Sequence, residues 1–353
     1  MTFRVFRPVA CRMGRLCAAV IAAAPMVSAG PSQADDAGDG AFPVSLENCG
    51  RMITIDAPPE RAVSIGQGST EIMLTLGLAE SLVGTAVWVG ELPEDLARKA
   101  EDIPRLADDD PSFESVIKSE PDLVAAQFEW HVGGAGAVAT PEQFADFDIP
   151  VYVSPADCAD KDNTTGGDGV RLEPFTMDLI YQEIVDIATI FGVSERGADL
   201  VDSLQDRKAD AIARVQDVLE DDVSAVFWFS SPEMSGEAFV AGRNGAPAWI
   251  MDRLGVTNIV TTNEEWPLVG WETIAGEDPE VIVIADMDRR RYPADGTEAK
   301  RRFLTEDPVA SMLQAVRHDR IIAMDAQAMN PTLRTVDGLE VLANGLRRFE
   351  LEP

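Results

Sequence analysis

The sequence predicts an α/β fold of two related lobes, each a small, mainly parallel sheet flanked by helices, joined by one long rigid helix. Three observations predict it. A helix–turn–strand segment occurs twice, 158 residues apart. The strand in each copy is continuously apolar, as in parallel sheets covered on both faces. A long amphipathic helical pattern lies between the copies. The 353 residues provide material for two lobes with buried cores. A hydrophobic content of 46% and 14 Phe exclude a disordered chain, despite 61 Asp and Glu against 29 Lys and Arg. The resulting charge of −32 argues against nucleic acid or an anionic membrane as partner, because phosphate neutralisation needs clustered cations.

Taken in order, the chain begins with an address. Arg4, Arg7, Arg12 and Arg15 precede the small apolar run 17–24, and small-x-small sites follow at 27–29 and 32–34. This is the layout of a secretory signal peptide over residues 1–34, so a soluble, periplasmic protein is expected. No Cys sits just after the apolar run, so a lipid anchor is not expected. Removal of that segment leaves 25 basic against 61 acidic residues, or −36, and two cysteines, Cys49 and Cys158. In an oxidising compartment the pair reads as one structural disulfide.

The N-terminal lobe is predicted over 41–193. Its copy of the repeat is Phe113–Ala126, matched without a gap by Trp271–Ile284: an aromatic, a Glu, a hydroxyl, a β-branched residue, then acid, Pro, acid and an apolar run. Upstream, 74–78 and 251–256 each read as a helix closed by a C-terminal Gly. Met177, Tyr181, Ile184, Ile187 and Phe191 keep a 3.6-residue period up to Gly192. The connecting helix is predicted over 194–219, with Ser194 as its N-cap and Val201, Leu204, Ile212, Val215 and Leu219 on its apolar face. The Gly/Asp-rich stretch 158–171 reads as a surface loop. The C-terminal lobe follows over 220–353.

With these pieces in place, the chain resembles the periplasmic binding proteins of the helical-backbone class that serve ABC importers of ferric siderophores, haem and cobalamin. The matching pieces are Pro59–Ile65, Ser69-Thr70-Glu71, Phe113–Val124, the long mid-chain helix, and Trp266–Glu272 leading into Asp278–Val283. The resemblance spans about 41–350. It implies a monomer that binds cargo between its lobes and docks on the membrane permease through one Glu per lobe. Glu114 and Glu272 hold those places and are equivalent positions of the repeat.

In open parallel sheets ligands sit beyond the carboxyl ends of strands. That rule nominates Gln67, Ser69, Trp88 and residues 128–131 in the first lobe. In the second it nominates Ser230, Ser231, residues 289–292, Met329, Asn330 and Arg334. Trp266 and Arg243 are further candidates in adjacent turns. Arg289, Arg290 and Arg291, with Arg243 or Arg334, offer guanidinium forks for an anionic cargo, or else form a solvated loop pairing with Asp286, Asp288 and Asp295. Trp88, Trp130, Trp266 and Tyr292 offer aromatic faces to a chelate or macrocycle. His131 is a lone imidazole that either ligates a cargo metal or donates a hydrogen bond. No G-x-S-x-G, H-E-x-x-H or Cys–His pair occurs, so a binding protein without cofactor is expected rather than an enzyme. The Arg run favours a ferric siderophore as cargo; the alternatives are cobalamin, haem or a phosphate-bearing cofactor precursor in the same role, or an exported metal- or haem-handling enzyme or sensor on this scaffold.

Overall fold

The computed structural model describes residues 42–134, 136–164, 169–216, 223–289 and 291–349. The predicted signal peptide and Arg290 lie outside them, as do residues 217–219 of the predicted connecting helix.

An antiparallel hairpin, β1 (Val44–Asn48) and β2 (Arg51–Ile55), opens the first lobe. Next come β3 (Ala62–Ile65), β4 (Leu82–Ala86), β5 (Arg105–Ala107), β6 (Leu123–Ala126) and β7 (Val151–Val153). They form a parallel sheet of order β5-β4-β3-β6-β7. Its helices are α1 (Gln67–Thr75), α2 (Glu94–Lys99), α3 (Phe113–Lys118), α4 (Glu129–Val132) and α5 (Pro141–Ala145). Asn48 closes the edge of β7, donating to the carbonyl of Val153 at 2.7 Å and accepting from its N–H at 2.8 Å. A short hairpin, β8 (Lys161–Asp162) with β9 (Val170–Arg171), then leads to α6 (Asp178–Ile190) and α7 (Ser194–Ala213).

The second lobe contains β10 (Ser224–Ser230), β11 (Glu237–Val240), β12 (Thr257–Asn258), β13 (Leu268–Gly270), β14 (Val281–Asp286) and β15 (Ile321–Asp325). The path is β13-β11-β10-β14-β15 with β12 beside β10; β12, β14 and β15 run parallel to β10, and β11 turns back. The helices are α8 (Ala246–Arg253), α9 (Trp271–Glu277), α10 (Thr297–Glu306), α11 (Gln314–Arg317) and α12 (Thr335–Arg348).

Strand alternation assigns each sheet two apolar faces. Val63, Ile65, Val124 and Ala126 face an outer core of the first lobe, and Val226, Trp228, Ile282 and Ile284 face that of the second. The other faces, with Leu123, Ala125, Phe227 and Val283, share one core with Ile184 and Ile187 of α6, Leu204 of α7 and Leu339 and Leu342 of α12. The lobes are therefore packed against a common spine. Arg207 of α7 reinforces it, reaching Asp337 and Glu340 of α12 at 2.6 Å each.

The repeat holds beyond side-chain type. α3 and α9 are equivalent, as are β6 and β14, and between them Glu120 and Asp278 both take the left-handed conformation, φ 47° and 44°. Asp122 accepts from the Glu60 and Arg61 N–H groups at 2.8 and 2.9 Å, and its counterpart Glu280 accepts from Ser224 N–H at 3.1 Å. Each acid thus ties its strand to the start of the neighbouring one.

Two expectations change. The long helix runs over Ser194–Ala213, followed by a turn through Gln216, so its 20 residues span about 30 Å at 1.5 Å per residue. Ser194 is its first residue rather than its cap; Val193 holds the cap position and makes no side-chain bond. The stretch 158–171 is no free surface loop. Cys158 is joined to Cys49, with Cα atoms 5.6 Å apart, and the Lys161 and Arg171 side chains are only 3% and 1% exposed.

Candidate functional site

The first sheet's order reverses at β3, whose neighbours β4 and β6 lead away in opposite directions, so its carboxyl end opens into a crevice. The turn from β3 into α1 must pass close to the end of β6. Gly66 takes φ 124°, and a Cβ there would lie 2.3 Å from Cβ of Gln127, so the position admits only glycine. Gln127 follows β6 directly. Its Oε1 accepts from Gly68 N–H at 2.7 Å, while its Nε2, in a residue 4% exposed, has no hydrogen-bond partner among the described residues. Gln67 works locally: its Oε1 accepts from Val89 and Gly90 N–H at 2.9 and 3.1 Å and its Nε2 donates to Glu71.

Facing this wall, the second lobe presents an aromatic stack. Phe229 of β10 lies 4.7 Å from Trp266, centroid to centroid, and the Arg289 guanidinium sits 5.7 Å over Phe229. Between the walls is a narrow crevice with an internal volume of only about 20 Å³, lined by Gln127, Phe128, Lys161, Glu265, Trp266 and Asn330 among others. A larger hollow flanks the disulfide, but its walls belong to the first lobe alone. The narrow crevice joins the strand ends of one lobe to the turns of the other.

The cleft is edged by ion pairs that cross between lobes. Glu265, beside Trp266, meets Arg171 at 2.9 Å and Lys161 at 3.5 Å, and Lys161 also holds Asp157 at 2.5 Å. Arg171 donates further to the carbonyl of Ala156. Behind the cleft, Arg334 meets Glu71 of α1 at 3.2 Å and Asp325 at 2.7 Å. Burial pushes the Glu71 carboxyl up to about 7; the Arg334 charge acts in the opposite direction and is outweighed. Arg289 faces Asp295 at 3.5 Å. Burial works to raise the Asp295 carboxyl, but hydrogen bonds from Ser230 and the Tyr292 N–H, with the Arg289 charge, hold it below the ordinary range. Deeper in the first lobe, Glu183 accepts from the hydroxyls of Ser69 at 2.7 Å and Ser154 at 2.5 Å, and burial lifts it to about 7.

The predicted residues divide accordingly. Trp266 and Arg289 stand at the cleft, and Arg334 lies behind it, committed to carboxylates. Trp88 follows β4 but is covered by Arg105, 4.1 Å over its ring. Trp130 lines the hollow beside the disulfide instead. His131 is 3% exposed on α4, a helix rather than a loop, with Nε2 3.0 Å from Asp110. Arg243 is exposed in a separate surface pocket with Trp249 and Arg253. Arg291 is exposed and stacks on Tyr292, 5.6 Å away, while Tyr292 packs near Phe239. Arg290 lies outside the described residues. Glu114 and Glu272 are exposed in the first turns of α3 and α9. Sequence reasoning missed Gln127, one position short of the nominated 128–131. It also missed Lys161, Arg171 and Glu265, whose pairing over 94 and 104 residues leaves no local trace.

Comparison with known proteins agrees with this architecture. The chain is 23% identical over 307 residues to an uncharacterized ABC transporter substrate-binding lipoprotein of Bacillus subtilis, covering 86% of each chain. It is 24% identical over 332 residues to a cobalamin-binding protein of Halobacterium salinarum, covering 89% of this chain and 77% of that one. An ABC-type Fe3+-hydroxamate transport system structure from Saccharomonospora viridis superposes with a TM-score of 0.67 at 28% identity, covering 86% of this chain and 99% of the other. Residues 63–328, well over half of the sequence, match the family model for periplasmic binding protein, and the chain belongs to that family.

Proposed function

We propose that this protein is the exported cargo-binding component of an ABC importer: it captures a ferric siderophore between its lobes and delivers it to the membrane permease. The observation that carries this reading is the cleft. Gln127 and Phe128 on one wall oppose Trp266 and Phe229 on the other, at the ends where α/β sheets take ligands. Apolar rings suit the faces of a chelate, and the open Gln127 Nε2 suits a ligand oxygen. The siderophore assignment is supported by the 28% identical structure named for Fe3+-hydroxamate transport. A second reading, cobalamin in the same cleft, is supported by the Halobacterium relative. Delivery to the permease is assigned to Glu114 and Glu272, one exposed acid on each lobe in equivalent helices. Among the described residues no helix is long and apolar enough to cross a membrane, so membrane contact would come through that docking.

The test is a titration of intrinsic tryptophan fluorescence in the protein lacking residues 1–34. Ferric siderophores, haemin and cobalamin are added in parallel. Saturable sub-micromolar quenching by one of these classes supports the reading, and no response to any of them overturns it.

A further inference from the structure

The charges around the cleft say what kind of cargo it accepts. Four cations stand at or behind its walls: Lys161, Arg171, Arg289 and Arg334. Five carboxylates already face them: Asp157 and Glu265 against Lys161, Glu265 against Arg171, Asp295 against Arg289, and Glu71 and Asp325 against Arg334. At the rim, Arg291 and Asp288 are both exposed. The described set therefore carries no net positive charge, and opening any one pair does not change that sum. An anionic cargo that takes a guanidinium must leave that cation's carboxylate beside it without a counter-ion, inside a partly desolvated wall. What the cleft offers without breaking a pair is different: the aromatic surfaces of Trp266, Phe229 and Phe128, the buried amide donor of Gln127, and the Asn330 carboxamide.

Resting on the transport reading above, we propose that the cargo carries no net negative charge and is held by its apolar faces and its amide- or hydroxamate-type carbonyl oxygens, polyanionic chelates being rejected by the paired carboxylates. This reverses the expectation drawn from the Arg run, because the arginines that reach the cleft are the ones whose charge is already used. A ferric trihydroxamate and a corrinoid share the required chemistry.

The experiment is calorimetric titration of the protein lacking residues 1–34, at one ionic strength, with four probes. A ferric trihydroxamate and cyanocobalamin carry no net negative charge; a ferric tris-catecholate and haemin carry three charges and two carboxylates respectively. The expected result is that one uncharged probe binds at least roughly a hundredfold more tightly than either anion, and which one binds separates the two sources. An anionic probe binding as tightly as the uncharged ones overturns the charge assignment but leaves the transport reading standing. Binding by none of the four overturns both. Two variants test the cause. In Asp295→Asn and in Glu265→Gln, the ratio of affinities should move about tenfold towards the anionic probe. An unmoved ratio in both folded variants refutes the role of the carboxylates.

Discussion

Two buried carboxyls should set how the stability of this protein depends on pH. Glu71 is 0% and Glu183 2% exposed, and burial raises each from an ordinary value of 4.5 to about 7. Between those values the folded protein keeps protons that the unfolded chain releases. Stability is therefore greatest below about pH 4.5, as far as these two groups decide it, falls as pH rises to about 7, and is level above that. Holding a proton from pH 4.5 up to about 7, at about 1.36 kcal/mol per pH step, corresponds to about 3 kcal/mol per group. The groups are far enough apart in role to act separately: Glu71 looks across to Arg334, and Glu183 sits under Ser69 and Ser154. Glu71→Gln and Glu183→Gln each replace the acid by a neutral side chain of the same shape. Arg334 keeps Asp325 at 2.7 Å in the first variant, and in the second the serine hydroxyls can reorient to accept as well as donate. Each variant should remove about half of the decline that these two groups cause between pH 4.5 and 7, and the double variant nearly all of that part. Urea unfolding followed by tryptophan fluorescence at fixed ionic strength reads the effect. If both variants show the wild-type decline in full, the argument from burial is wrong.

Reversing charge at Glu114 and Glu272 together should abolish uptake in cells while the isolated protein keeps its cargo affinity, since both acids sit on exposed helix starts away from the cleft. Uptake assays beside a titration would show whether the two properties separate. Trp266→Ala removes the ring stacked on Phe229 and should weaken cargo binding by about 2 kcal/mol, roughly thirtyfold in Kd. Cys49→Ser with Cys158→Ser opens a link across 109 residues and should lower stability by about 4–5 kcal/mol, measured by unfolding under non-reducing conditions.

The parts of the fold legible in the sequence are those written by local chemistry. The run Leu123–Ala126 and its counterpart Val281–Asp286 are strands because unbroken apolar residues can be buried on both faces of a parallel sheet, and Gly77 and Gly255 end their helices in the left-handed conformation. The left-handed turn at Glu120 and Asp278 gave no such signal, because neither residue is Gly and the packing between helix and strand imposes it. At the site, the strand-end rule reached Phe128, Asn330 and Arg289 because it follows from topology. Past Phe128 the chain re-enters a helix at Glu129, which turns His131 inward to Asp110 and places Trp130 on the hollow beside the disulfide. Arg243 lies in a separate surface pocket, between Trp249 and the first-lobe segment Pro174, Phe175 and Thr176.

Charge was the hardest property to read, and the reason is physical. With acids outnumbering bases by two to one, a cation brought inside the protein finds a carboxylate nearby, and the cost of leaving it unpaired ensures that it takes one. An arginine run in such a chain therefore reports pairing more readily than a free binding fork. The same logic explains where the interlobe pairs lie. The lobes already share one apolar core along α6, α7 and α12, which leaves little freedom to swing apart. Pairs such as Lys161 and Arg171 with Glu265 tie the hairpin that follows Cys158 to the Glu265–Trp266 turn of the other lobe, so the two lobes are joined on this side as well as along the spine.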